Sequence, residues 1–129
     1  MALTSIIEPL RASLLDTAGV VTAYLFGSMA RGDGNAESDV DVAILFDHQP
    51  QPSLESMPLD LEARLERLLG RPVQIVVLNR ASPDLVHRVL RDGQILVDRD
   101  RPRRLRFEVQ ARNEYFDIAP VLRRYREVS

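Results

Sequence analysis

Apolar residues recur at helical spacing at Ile6, Leu10 and Leu14 and stop at Gly19, predicting a first helix over residues 4–17 with Ser5-x-x-Glu8 as its capping box. The β-branched run from Val20 to Phe26 then reads as a buried strand ended by Gly27. Ser28 to Gly32 reads as one turn of helix, and Asp33 to Ser38 as a polar loop broken by glycine. Asp39 to Phe46 predicts a second strand in which Asp39, Asp41, Ala43 and Leu45 share one face and Val40, Val42, Ile44 and Phe46 the other.

The Pro-interrupted segment Asp47 to Ser53 reads as a loop. Leu54 to Leu69 is amphipathic with Leu61, Leu65 and Leu68 inward, and Gly70 and Pro72 end it. Val73 to Leu78 predicts a third strand. Ser82 is the expected N-cap of a helix that has Pro83 at its first position and runs to about Arg91. Gln94 to Val97 predicts a short fourth strand, and residues 99–126 a helix broken near Pro120. Strands and helices in this order predict a single domain over residues 1–129, with helices packed on a small mixed sheet and a helical tail from about residue 99. The first two strands can pair either antiparallel or through a compact crossover.

Composition narrows the function classes. At 129 residues, 45% hydrophobic and 28% charged, the chain is a globular domain with one core. No apolar run approaches the roughly 18 residues of a membrane span, and no signal peptide is visible, so an intracellular, cytoplasmic protein is expected. With no cysteine and two histidines, thiolate and imidazole-rich metal sites are excluded, which leaves oxygen ligands for any metal. The net charge of −2 is unevenly spread: residues 99–129 carry nine Arg against five acids, the remainder eight Arg against fourteen. That tail reads first as a solvated basic helix face, with an acidic partner or nucleic acid as the alternative.

The candidate chemistry lies in "FGSMARGDGNAESDVDVAILF". Two like-charged aspartates on one face of a strand repel, and their Cα atoms stand roughly 6.5–7 Å apart. Such a pair can jointly ligate Mg²⁺, which takes oxygen ligands and completes its shell with water and phosphate. Gly27 lets a phosphate approach the backbone, Ser28 offers a hydroxyl and an N–H at a helix start, and Arg31 can make a charge-assisted contact. Metal, donors and Arg are the parts that nucleotidyl transfer requires. A Gly-Ser turn or an Asp-x-Asp alone is weak evidence, and their conjunction is much stronger.

The string Gly27-Ser28, ten residues, Asp39-Val40-Asp41 resembles the motif of the nucleotidyltransferase superfamily of DNA polymerase β and kanamycin nucleotidyltransferase. The fuller stretch is similar to the minimal nucleotidyltransferases (MNT), small proteins paired with a helical HEPN-family ribonuclease toxin. The similarity extends through "RPVQIVVLNRASPDLVHRVLRDGQILVDRD" and "RFEVQARNEYFDIAPVLRRY". It implies a polymerase β-like fold and Mg²⁺-dependent transfer of AMP from ATP, of two-metal type, to a tyrosine hydroxyl of the toxin, whose activity is thereby silenced. It further implies Asp39 and Asp41 as catalytic metal ligands and Gly27, Ser28 and Arg31 as triphosphate contacts. The partners implied are ATP and a cognate toxin, in a homo- or hetero-oligomer, with no membrane and no direct nucleic-acid contact.

One position departs from the family pattern. A third carboxylate usually sits on a later strand in a "V-D-L-V" context, and the matching "VQIV" places Gln74 there. A neutral amide accepts no proton, so a Tyr hydroxyl of pKa about 10 loses its base. Asp98 or Glu37 can take over the role, the enzyme can work more slowly with one metal, or the chain can be a binding-only antitoxin. A small-molecule transferase needing a partner substrate-binding subunit is the further alternative.

His48 reads as exposed and His87 as a helix-surface residue, and neither supports a Ser-His-Asp hydrolase. In the tail, Leu105, Val109, Phe116, Leu122 and Tyr125 read as core contacts. Arg112, Tyr115, Arg123 and Arg124 read as partner-facing.

Overall fold

A computed structural model describes residues 4–34, 38–48 and 56–128. The elements, in chain order, are α1 (Thr4–Leu15), β1 (Val20–Phe26), α2 (Gly27–Arg31), β2 (Val40–Phe46), α3 (Ser56–Leu69), β3 (Val73–Val77), a 3₁₀ turn (Leu78–Arg80), α4 (Pro83–Asp92), β4 (Gln94–Asp98) and α5 (Arg101–Val128). The strands form one sheet in the order β3-β2-β1-β4. β1 runs antiparallel to both β2 and β4, while β2 and β3 are parallel. The expected mixed sheet is present, and the connection from β1 to β2 is antiparallel.

The period-two pattern of β2 decides which helices lie on which face. Val40, Val42, Ile44 and Phe46 join Ile6, Leu10 and Leu14 of α1 and Leu61 and Leu65 of α3 in one core. Ala43 and Leu45 join Tyr24, Val86, Val89 and Ala111 in a second, under α4 and α5. Asp41, on the face of Ala43, therefore opens toward α4 rather than toward α1 and α3.

α3 is turned slightly from its predicted setting. Leu69 packs on the core and Leu68 is 49% exposed. The cause is polar: Glu62 and Glu66 accept hydrogen bonds from the backbone N–H groups of Ile75 (2.9 Å) and Val73 (3.1 Å), closing the free edge of β3. An open edge strand invites pairing with other chains, and these two carboxylates occupy its donors. α1 ends at Leu15 and already contains Ser5 within its span, so Ser5 is not the N-cap. Asp39 lies just ahead of β2, and Leu78 belongs to the 3₁₀ turn. Ser82 does cap α4, accepting from the Leu85 N–H at 3.3 Å with Pro83 opening the helix.

α5 runs unbroken through Pro120, contrary to the expected break. Proline removes the bond to the carbonyl of residue 116. Phe116 and Pro120 are both exposed, so water can take that carbonyl. Leu105, Val109 and Phe116 are exposed rather than core residues, the last by 69%. The side chains of Leu122 and Tyr125 lie outside the described residues. Besides Ala111 and Phe107 in the second core, polar contacts hold α5 down: the Tyr24 hydroxyl donates to Glu108 at 2.7 Å, and Arg104 bridges Glu108 (3.2 Å) and Asp98 (2.9 Å).

Burial, and then Glu108, push the Tyr24 hydroxyl far above its ordinary pKa. The folded state keeps this proton where the unfolded chain releases it, so the contribution is complete below pH about 10 and falls as pH rises beyond it. Tyr24→Phe should lower unfolding free energy by about 1–3 kcal/mol in urea titrations and flatten the alkaline decline above pH about 10. Thr22 gives the opposite expectation: its hydroxyl is fully buried with no hydrogen-bond partner among the described residues. Thr22→Val should be neutral or up to about 1 kcal/mol more stable in the same titration.

Candidate active site

The site forms where β1 stops and β2 begins. Phe26, the last residue of β1, pairs with Asp41, and the chain turns at Gly27 with φ +74° before entering α2. L residues with a side chain rarely adopt that φ. A second constraint acts at the same atom: a Cβ on Gly27 would overlap the Asp41 carboxylate. Glycine is therefore required both by the turn and by the acid that packs on it. Met29, buried in the α1/α3 core, fixes α2 in place. Arg71 fixes the other approach, its guanidinium donating through Nε and Nη2 to the Ser38 carbonyl (3.2 and 2.9 Å) immediately before Asp39.

Gly27, Arg31, Asp41 and Gln74 line one cleft of about 370 Å³. Ser28 and Asp39 stand next to Gly27 and Asp41 in sequence and are not among the lining residues. Asp39 is still electrostatically coupled to the cleft. Asp41, half-buried, has its pKa raised by burial first and by the Asp39 charge second, with Arg31 opposing both. The pair thus carries the uncompensated repulsion that a cation between two carboxylates relieves.

Gln74 is aligned with Asp41 across the parallel β2–β3 pair, so its exposed amide lies beside the carboxylate. A carboxylate at position 74 would be a third acid on the same wall. Neither expected substitute stands there. Asp98 is on β4 opposite Thr22, ion-paired to Arg104 at 2.9 Å, and does not line the cleft. Glu37 lies outside the described residues.

The remaining wall comes from α4 and was not foreseen: Leu85, Arg88, Arg91 and Asp92 line the cleft. Their signal was present as helical spacing, because 85, 88 and 92 form the flank beside the buried Val86 and Val89. Asp92 is held by Arg91 through two hydrogen bonds of 3.0 and 2.9 Å. That contact, above all, lowers its pKa and keeps it an ionised, occupied carboxylate.

His48 is exposed beside Asp47, and His87 stacks on Tyr115 with ring centroids 3.7 Å apart; neither lines the cleft. The described residues contain no group of three or more His, Asp or Glu side chains able to enclose a metal. The donor set still fits a hard cation held from one side: two carboxylate groups, with water and substrate oxygen to complete the shell. A second such ion would lack its carboxylate at position 74. Among the described residues no helix is long and apolar enough to cross a membrane.

The family model described as Polymerase beta, Nucleotidyltransferase matches residues 8–102. Protein adenylyltransferase MntA of Thermococcus cleftensis is 36% identical over 88 residues, 68% of this chain and 86% of its own. A crystal structure of a toxin–antitoxin with AMP-PNP contains a chain that superposes with a TM-score of 0.77 at 26% identity, over 99% of this chain and 98% of that one. A complex of a tri-AMPylated Shewanella oneidensis HEPN toxin with MNT antitoxin shares the fold, with a TM-score of 0.78 at 22% identity and 98% coverage of each chain.

Gly27→Ala should be doubly unfavourable, through the left-handed turn and the overlap with Asp41. The expected cost is about 1–3 kcal/mol in chemical denaturation. A loss under about 0.5 kcal/mol would mean that the turn relaxes and the Asp41 contact is not tight.

Proposed function

This chain belongs to the polymerase β nucleotidyltransferase family, and from that premise we propose that it is a protein adenylyltransferase that moves AMP from ATP to a hydroxyl of a HEPN-type toxin and so acts as its antitoxin. The observation that carries the reading is the meeting of Asp41, Gly27, Arg31 and Gln74 in one cleft. The kinship to MntA of Thermococcus cleftensis and the match to a toxin–antitoxin bound to AMP-PNP support the same activity and partner.

In the transfer, the acceptor oxygen bonds to the α-phosphorus as the bond to the α,β-bridging oxygen breaks. Pyrophosphate leaves with that electron pair, and the hydroxyl proton passes to solvent or a base. Asp39 and Asp41 would hold Mg²⁺, which when bound neutralises phosphate charge and orients the α-phosphate. Gly27 keeps the backbone open to the phosphates, Ser28 donates its hydroxyl, and Arg31 supplies charge at the rim. Gln74 holds a hydrogen-bonding amide where a base is expected. Asp92 is a poor replacement, because its contact with Arg91 lowers its pKa and with it its basicity. In this reading the acceptor reacts without a dedicated base from the described residues, which makes the transfer slower than one with a carboxylate at position 74. The neutral side chain at position 74 also favours one rival, a toxin-binding antitoxin without transfer.

Incorporation of labelled AMP into the purified toxin with Mg²⁺ separates the two. Gln74→Asp should raise the rate about 10-fold or more by restoring a base, and Asp39→Ala with Asp41→Ala should abolish it. Wild type no faster than the double variant would establish the binding-only role. Exposed Phe116, Val121, Arg123 and Arg124 point to a partner face late in α5. Removing residues 119–129 should weaken toxin binding by about 10-fold or more and leave ATP affinity within about 2-fold. Equal losses would assign that segment to the core instead.

A further inference from the structure

We propose that Arg88 binds the β- and γ-phosphates of ATP and then the departing pyrophosphate, an assignment that rests on the nucleotidyl-transfer reading above. Its placement is fixed by the fold. Ser82 sets the start of α4, Val86 and Val89 are buried against the sheet, and the flank carrying Leu85, Arg88 and Asp92 is thereby turned to the cleft. Arg88 stands across the cleft from the wall formed by Asp41 on β2 and Gln74 on β3.

The ionic pairings in the cleft single it out. Three guanidinium groups line the cleft, from Arg31, Arg88 and Arg91. Arg91 is occupied by Asp92 at 2.9 Å, and Arg31 lies 3.6 Å from Asp33. Arg88 has no ion pair or hydrogen bond among the described residues and is exposed to the cleft and solvent. A cation without a protein counter-charge among the described residues, in one cleft with the Asp41 carboxylate, suits an anion able to lie between Arg88 and a cation held at Asp41. A polyphosphate meets both demands, since its oxygens can bind a cation on one side and a planar guanidinium fork on the other. As the Pα–O bond breaks, negative charge grows on the bridging oxygen and on pyrophosphate, and a guanidinium bound to those oxygens stabilises that charge.

Calorimetric titration of ATP, pyrophosphate and AMP with Mg²⁺ and without toxin tests the assignment in wild type, Arg88→Ala and Arg88→Lys. Arg88→Ala should weaken ATP and pyrophosphate by about 10–100-fold and AMP by less than about 3-fold, with the thermal midpoint unchanged. Arg88→Lys should recover part of the loss, because it keeps the charge without the fork. Unchanged pyrophosphate affinity in Arg88→Ala, or equal losses for AMP and ATP, would overturn the assignment. So would normal nucleotide binding with a defect confined to toxin binding. A wild type that binds neither ATP nor pyrophosphate would overturn the nucleotidyl-transfer reading itself, and this one with it.

Discussion

The Asp41 carboxylate packs directly on the backbone of Gly27, and the geometry of the cleft follows from that contact. For the contact to exist, β1 must end at Phe26 opposite Asp41, the chain must turn through a positive φ, and no side chain can occupy the turn. The same contact half-buries a carboxylate beside a second one, a combination that raises the pKa of Asp41. The fold holds this unfavourable pair because β2 is a central strand with β1 and β3 on its flanks and an apolar core behind it. Holding two carboxylates this close, one of them half-buried, costs stability that the surrounding core supplies.

The other two walls have different origins. β3 brings Gln74 level with Asp41 because the two strands are parallel and in register, so the amide occupies the place of a third acid. A neutral residue there adds hydrogen-bonding capacity to that wall without adding a third negative charge beside Asp41. α4 adds cationic groups, of which Arg91 is neutralised by its own neighbour and Arg88 is not. The cleft thus sets one sheet carboxylate, Asp41, against guanidinium groups from α2 and α4, with Asp92 of α4 paired to its own neighbour Arg91.

Polar contacts also govern the periphery. Glu62 and Glu66 occupy the donors of the β3 edge, which prevents an open strand beside the site from pairing with another chain. Tyr24, Glu108, Arg104 and Asp98 tie the first turns of α5 to the sheet. Past Ala111 the helix buries little, and its exposed Phe116 and Val121 are apolar surface of the kind that a partner covers.

The order of elements, the faces of β2, the capped start of α4 and the carboxylate pair behind its Gly-Ser turn are all legible in the chain. Each of these is a local pattern of period 2 or 3.6, or a single-residue conformational preference, and so is written in consecutive residues. Gln74 stood out only through the resemblance to a family that carries a carboxylate at the matching position. The departures from these local patterns come from contacts with distant segments or with solvent. Leu68 turned outward when Glu62 and Glu66 reached the edge of β3, α5 passed through Pro120 on its solvent side, and Asp98 was drawn away to Arg104. That α4 closes the cleft with Arg88, Arg91 and Asp92 is a product of packing alone. Helical periodicity shows that such a flank exists, but which surface it meets depends on packing between segments dozens of residues apart.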